Sequence, residues 1–173
     1  MFYAKLKAPL EALLFVSGDP VGAGHLADIL QIDRVNVEEL INELQADMEQ
    51  AGRGLTIIKV AGGYQLCTKA EFSPLVEKMT QVMDKKLSAP AMETLSIIAF
   101  KQPITKQEIE DIRGVRVDRV LAKLQERTLI AEVGRKKVIG RPILYGTTEE
   151  FLKCFGLADL KDLPALPDEV YTD

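Results

Sequence analysis

Val117-Asp118-Arg119-Val120-Leu121-Ala122-Lys123-Leu124-Gln125 is the stretch on which the fold turns. Its apolar residues at 117, 120, 121 and 124 have the spacing of one face of an α-helix. Eighty residues earlier stands Val37-Glu38-Glu39-Leu40-Ile41-Asn42-Glu43-Leu44-Gln45, with its apolar residues and closing glutamine at the same places. Matches at a constant offset mark an internal duplication, so the neighbours of each helix should recur as well.

Upstream, Leu26, Asp28 and Ile29 answer Ile109, Asp111 and Ile112 on a short second helix at an offset of 83, and Pro20-Val21 answers Pro103-Ile104 in the turn before it. Thr105 with Glu108 makes a capping box for that helix in the second copy. A first helix follows a proline in each copy, with Leu10-Glu11-Ala12-Leu13 answering Met92-Glu93-Thr94-Leu95 at an offset of 82. Downstream comes a hairpin: residues 55–60 and 64–68 around Ala61-Gly62-Gly63, then residues 130–135 and 142–146 around a longer turn. A further helix closes each copy. Leu75, Val76, Met79, Val82 and Met83 share one face of the first, most simply as core, although such a helix also suits a dimer contact. Phe151, Leu152 and Phe155 line the second, which Gly156 stops.

Three helices and a two-stranded wing, twice over, predict an α+β, mainly helical chain of two tandem winged-helix domains. Pro90 and the polar residues before it place a boundary near Ser88. The domains are then residues 1–88 and 89–156, followed by a short acidic, proline-containing tail, 157–173, that frays beyond Leu166.

Composition agrees with a packed protein. The chain has 173 residues, 47% hydrophobic and 28% charged, and a mean hydropathy of +0.03, so it can fill a core without any bias to disorder. The apolar run at 12–16 is too short for a signal-peptide core or a membrane span, and a cytoplasmic protein is expected. Cys67 and Cys154 are expected to be buried and reduced. The net charge of −4 conceals opposite halves: residues 1–88 carry 9 Lys+Arg against 12 Asp+Glu, residues 89–156 carry 12 against 9, and residues 157–173 carry 1 against 5. Only the middle block could attract phosphate, and its excess is modest for a nucleic-acid binder.

Catalytic and cofactor chemistry find little footing. His25 is the only histidine, which removes most acid–base and triad arrangements. Cys67 and Cys154 stand without a CxxC or HxxxH cluster, so no metal is implied. Gly22-Ala23-Gly24-His25-Leu26-Ala27 fits a loose dinucleotide pattern, but Ser17-Gly18-Asp19-Pro20-Val21 separates it from any preceding strand, and no cofactor is implied.

The outer faces of the third helices differ. The first carries Glu38, Glu39, Glu43, Asp47 and Glu49, which repel phosphate. The second carries Arg116, Arg119, Lys123 and Arg127 as a basic stripe, and its wing adds Arg135, Lys136, Lys137 and Arg141. Such a stripe is more often a solvated face than a nucleic-acid track, and Asp118 and Glu126 dilute it. The wing loop also places Val138 and Ile139 among the cations. There they either pack on their own domain or, if exposed, meet a protein partner.

Several runs together resemble the bacterial segregation and condensation protein B family: Leu10-Glu11-Ala12-Leu13-Leu14-Phe15-Val16-Ser17-Gly18, Glu93-Thr94-Leu95-Ser96-Ile97-Ile98-Ala99-Phe100-Lys101-Gln102-Pro103-Ile104-Thr105 and Ile112-Arg113-Gly114-Val115. Gly134-Arg135-Lys136-Lys137-Val138-Ile139-Gly140-Arg141-Pro142-Ile143-Leu144-Tyr145-Gly146-Thr147-Thr148 is similar to it too, as are residues 151–157. The resemblance is dense in the second copy and thinner over residues 19–75. It implies a non-enzymatic accessory subunit of the bacterial SMC–kleisin condensin, associated with the nucleoid and acting in chromosome condensation and segregation. Such a subunit homodimerises through its N-terminal domain and binds the central region of a kleisin of the segregation and condensation protein A type. Through the kleisin it joins an SMC ATPase, which agrees with the absence here of a G-x-x-x-x-G-K-[ST] loop. Any DNA contact would be weak or indirect, and no membrane is involved.

On this resemblance the partner surface falls on the second wing and closing helix: Arg135, Val138, Ile139, Gly140, Arg141, Pro142, Tyr145 and Phe151. The rival expectation is a winged-helix DNA-binding transcriptional regulator using Arg116, Arg119, Lys123, Arg127, Lys136 and Lys137. One departure stands out, because Arg116-Val117 replaces the family's usual Asn or Asp followed by Ser, so the third helix needs a cap from elsewhere. If that cap is missing, Val117→Ser should raise the melting temperature.

Overall fold

The structure, a computed structural model, describes residues 3–50, 52–80 and 87–165. Two compact units form: Met1–Met83 together with Gly156–Asp173, and Asp84–Phe155. Each is built from the repeated apolar face of its third helix.

In the first unit, α1 (Lys7–Ser17), α2 (Ala23–Leu30) and α3 (Arg34–Gln50) are followed by the hairpin β1 (Leu55–Val60) and β2 (Gly63–Thr68), then α4 (Ser73–Thr80). Val37, Leu40, Ile41, Leu44 and Met48 put the inner face of α3 against Leu10 and Leu14 of α1, Leu26 of α2 and Ile57 of β1. The strands pair from Leu55↔Thr68 to Val60↔Gly63. The remaining two residues, Ala61 (φ 47°) and Gly62 (φ 72°), turn the chain with both φ angles positive, the mirror-image turn that matches strand twist. Val21 serves as a third strand of one residue, exchanging two 2.9 Å hydrogen bonds with Tyr64. A Cβ at Gly63 would lie 2.9 Å from the Val21 carbonyl carbon, so this approach requires glycine.

The second unit repeats the plan with α5 (Ala89–Lys101), β3 (Ile104–Thr105), α6 (Lys106–Arg113), α7 (Asp118–Glu126), β4 (Ile130–Arg135), β5 (Ile143–Thr147) and α8 (Glu149–Phe155). Its antiparallel sheet has the order β3-β5-β4. Buried residues include Leu95, Ile98, Ile109, Val117, Leu121, Leu124 and Ile130. The capping box is formed: the Thr105 hydroxyl accepts from the Glu108 amide, and the Glu108 carboxylate takes the Thr105 amide at 2.8 Å. Gln102 fastens the sheet to α5, accepting from the Thr147 amide at 2.7 Å while donating to the Ala99 carbonyl at 3.1 Å. Both units are therefore winged helices.

Four expectations need correction. The first helices match at an offset of 81, since burial pairs Leu10 with Ala91 and Leu14 with Leu95, whereas the offset of 82 sets buried Leu10 against Met92, 40% exposed. They also begin before their prolines, at Lys7 and Ala89, with Pro9 and Pro90 in the first turn, where no intrahelical donor is lost. The face of α4 is not core: Met79 is 80% exposed and Leu75 is exposed too, because the ten buried residues of α1 to α3 already close that core without it. Val82 and Met83 lie outside the described residues. Cys154 is exposed and only Cys67 is half-buried.

The chain after Gly156 returns to the first unit. Ala61 and Gly62 donate their amides to the carbonyls of Leu157 and Ala158, each at 2.9 Å. The fraying expected beyond Leu166 lies outside the described residues.

Candidate functional site

The third helix and wing of the second unit hold most of the residues marked by the sequence. α7 lacks a side-chain cap at Val117, and Glu110, from the preceding helix, accepts the amide of Val117 itself at 3.0 Å. Lys106 binds Glu110 at 3.7 Å and also pairs with Asp118, and that hydrogen bond holds the Asp118 carboxyl below its ordinary range. α6 thus anchors the residue before α7 without capping the amides of its first turn. Val117 is only 1% exposed, so a serine there would give up buried apolar surface in exchange for a cap. Burial of Val117 therefore sets a loss of apolar packing against the gain expected from Val117→Ser.

Carboxylates in this unit are largely engaged. Glu93 pairs with Arg113, and Asp111 accepts from Gln107 at 2.8 Å. Arg116, Arg119, Lys123 and Arg127 all stand exposed along α7. Among the described residues, no ion pair engages Arg119 or Lys123.

The wing is tethered at its base. Lys136 donates to Glu108 of α6 at 2.5 Å. This bond, with the two from Thr105, lowers the Glu108 carboxyl to about 2. Arg135 Nη1 donates to the Arg141 carbonyl at 3.3 Å, and the Lys136 amide to the Pro142 carbonyl at 2.9 Å, so the ends of the loop are drawn together. Beyond this neck the Arg141 amide closes a turn on the Val138 carbonyl at 2.9 Å, with Gly140 at φ 84° and Arg141 at φ 39°. Val138 and Ile139 point away from their own unit, Ile139 with its side chain fully in solvent. Lys137 and Gly140 are exposed beside them, and Pro142 is half-buried.

Two members of the expected surface lie inside the unit instead: Tyr145 is 9% exposed and Phe151 3%. Tyr145 is on the middle strand, paired with Ile104 and Glu132, and Phe151 is on the buried side of α8. A feature that sequence reading missed adjoins the wing through Glu108. Lys101, Pro103, Ile104, Glu108, Asp111 and Ile112 line an open groove of about 470 Å³. Ile112, exposed on α6 as Ile29 is on α2, was the available signal, since both stand off the buried face of their helices.

Among the described residues no cluster of His, Cys, Asp and Glu could hold a metal ion, and no helix is long and apolar enough to cross a membrane. What the site offers is an exposed apolar pair ringed by cations on a tethered loop.

Known proteins are similar to this chain in sequence. The family model of the segregation and condensation complex subunit ScpB matches residues 8–166. The segregation and condensation protein B of Moorella thermoacetica is 52% identical over 167 residues, covering 96% of this chain and 86% of that one. Among solved structures, ScpB from Mycobacterium tuberculosis is 35% identical with a TM-score of 0.42, covering 88% of this chain and 95% of that one. A dimer of an ScpB N-terminal domain complexed with an ScpA peptide is 31% identical with a TM-score of 0.43, covering 46% of this chain and 99% of that one. On the family match and the extent of the identity, this chain belongs to the segregation and condensation complex subunit ScpB family.

Proposed function

We propose that the chain is a non-enzymatic, homodimeric accessory subunit of a bacterial SMC–kleisin condensin, and that its second wing contacts the central region of the kleisin. Family membership supports the complex, and the observation that carries the contact is the wing loop. Val138 and Ile139 are exposed where a loop is ordinarily polar, on a base fixed by the Lys136–Glu108 bond. A fixed apolar pair is suited to a peptide with an apolar face, and Arg135, Lys137 and Arg141 around it favour an acidic flank. Dimerisation falls to the first unit, where Leu75 and Met79, one helical turn apart on α4, are exposed apolar residues. The SMC ATPase is reached through the kleisin, and the subunit works at the nucleoid.

The test is capture from nuclease-treated lysate of the source organism at moderate salt, read by mass spectrometry. The wild-type protein should retain a kleisin and an SMC ATPase, and Ile139→Asp should lose both by tenfold or more, about 1.4 kcal/mol, without a change in melting temperature. Retention by Ile139→Asp at the wild-type level would remove the wing from the contact. Recovery of neither partner, with specific DNA held when nuclease is omitted, would turn the assignment to a DNA-binding regulator acting through Arg116, Arg119, Lys123 and Arg127.

A further inference from the structure

The two amides at the tip of the first hairpin pose an accounting question. In a two-residue hairpin turn the N–H groups of both turn residues point out of the ladder and find no partner within the hairpin, so they need water or another acceptor. Ala61 and Gly62 have neither strand nor side chain as acceptor. They meet two successive carbonyls of one segment, Leu157 and Ala158, at 2.9 Å each. The pairing is in sequence order, 61 to 157 and 62 to 158, so adjacent donors read adjacent acceptors.

That segment is delimited on both sides. Gly156, at φ 65°, ends α8 in a conformation that favours glycine. After Ala158 a single turn, Leu160–Asp162, is fixed by a reciprocal box: the Asp159 carboxylate accepts from the Lys161 amide at 3.1 Å, and the Asp159 amide donates to the Asp162 carboxylate at 2.9 Å. Leu157 and Ala158 are half-buried. The seated pair of residues is therefore held between a helix stop and a capped turn.

We propose that the Ala61–Gly62 turn is a main-chain peptide-docking site whose resident ligand is this chain's own segment, residues 156–163. Recognition is through paired carbonyls, with the Asp159–Asp162 turn keeping the segment from sliding. Emptied of it, the turn accepts a free peptide of the same sequence. This inference is independent of the proposed function, since it concerns the wing that the kleisin reading leaves unused.

Amide hydrogen exchange followed residue by residue tests it on the full chain. The Ala61 and Gly62 amides should exchange at least tenfold more slowly than in the same chain ended after Phe155, while the Tyr64 amide, bonded to Val21, stays protected in both. A synthetic peptide of residues 156–165 added to the shortened chain should restore protection at both amides. Rapid exchange at Ala61 and Gly62 in the full chain overturns the proposal without any variant. Failure of the peptide to restore protection overturns the docking site. In the full-length Asp159→Ala/Asp162→Ala protein, which keeps every residue of the segment, both amides should exchange severalfold faster, and unchanged rates would remove the capped turn from the device.

Discussion

The two winged helices share an inside and differ on the outside. Val37, Ile41 and Leu44 in the first are answered by Val117, Leu121 and Leu124 in the second, every one of them buried. The turned-out faces of the same two helices are acidic and basic respectively. α3 runs 17 residues and α7 only 9. The first hairpin closes in two residues whose amides are occupied by residues 157–158, whereas the second opens into a seven-residue loop, 136–142, with its apolar tip in solvent. The difference teaches that the interior carries the fold and leaves length, charge and loop tip available for separate tasks. One copy turns its wing to its own chain, the other turns it outward.

Equivalence of the interiors is the part of the comparison that a mutation can break hardest. Leu44→Ala and Leu124→Ala should each destabilise the unit that holds it by about 2–5 kcal/mol, the usual cost of a large-to-small change in a core. Denaturant unfolding checks this, and a tolerant response at either site would mean that the two frames are not packed alike.

A smaller effect sharpens the contrast at the helix starts. Val37 lies within α3 while Val117 precedes α7, yet both are buried. Val117→Ser should lower stability by about 1 kcal/mol, the loss of buried apolar surface exceeding what a cap returns. Thermal melting would show a fall of a few degrees, and a rise would restore the missing-cap interpretation.

Making the basic helix resemble the acidic one should scarcely touch folding. Arg119→Glu with Lys123→Glu lies on an exposed face, so stability should move by no more than about 0.5 kcal/mol. Kleisin capture through the wing should persist, and its loss would extend the partner surface onto α7.

The smallest effect is in acid. Glu108 titrates at about 2 because Lys136 and Thr105 bond its carboxylate, against about 4.3 in an unfolded chain. A depressed folded value means that the stability it contributes is present above about pH 4.3 and lost as pH falls through about 2. Glu108 and Lys136 are each some two-fifths exposed, and solvent screening limits the contribution to no more than about 1 kcal/mol. The difference in melting temperature between wild type and Glu108→Gln should hold steady down to about pH 5 and close between there and pH 2. A gap that stays open in acid would separate Glu108 from the tether.

How much of this was legible in the sequence depends on whether side chains carry the information. The third helices were, since their apolar residues sit on one stripe with polar residues between them. The first helices were misread by one position because α1 contains the unbroken run 12–16, and such a run fits more than one helical face. Phe15 and Val16 prove to be its outward part. The wing loop was legible as an anomaly, two apolar residues among cations, but Tyr145 and Phe151 were drawn into the same surface because their burial depends on partners far along the chain. Glu110 as an amide acceptor, Glu108 as a tether 28 positions from Lys136 and the seating of residues 157–158 left no local pattern. The last is made by main-chain groups, which every residue has.

The return of residues 157–158 to the first hairpin also sets an order in time. A chain is made from its N-terminus at about 5–20 residues per second, and its early domains fold first. The turn at Ala61 and Gly62 emerges with its donors unmet, and roughly 95 further residues must follow before their acceptors exist, a wait of about 5–20 s at that rate. The first winged helix to begin is thus the last to be finished, and its completion reports that the second has already been synthesised.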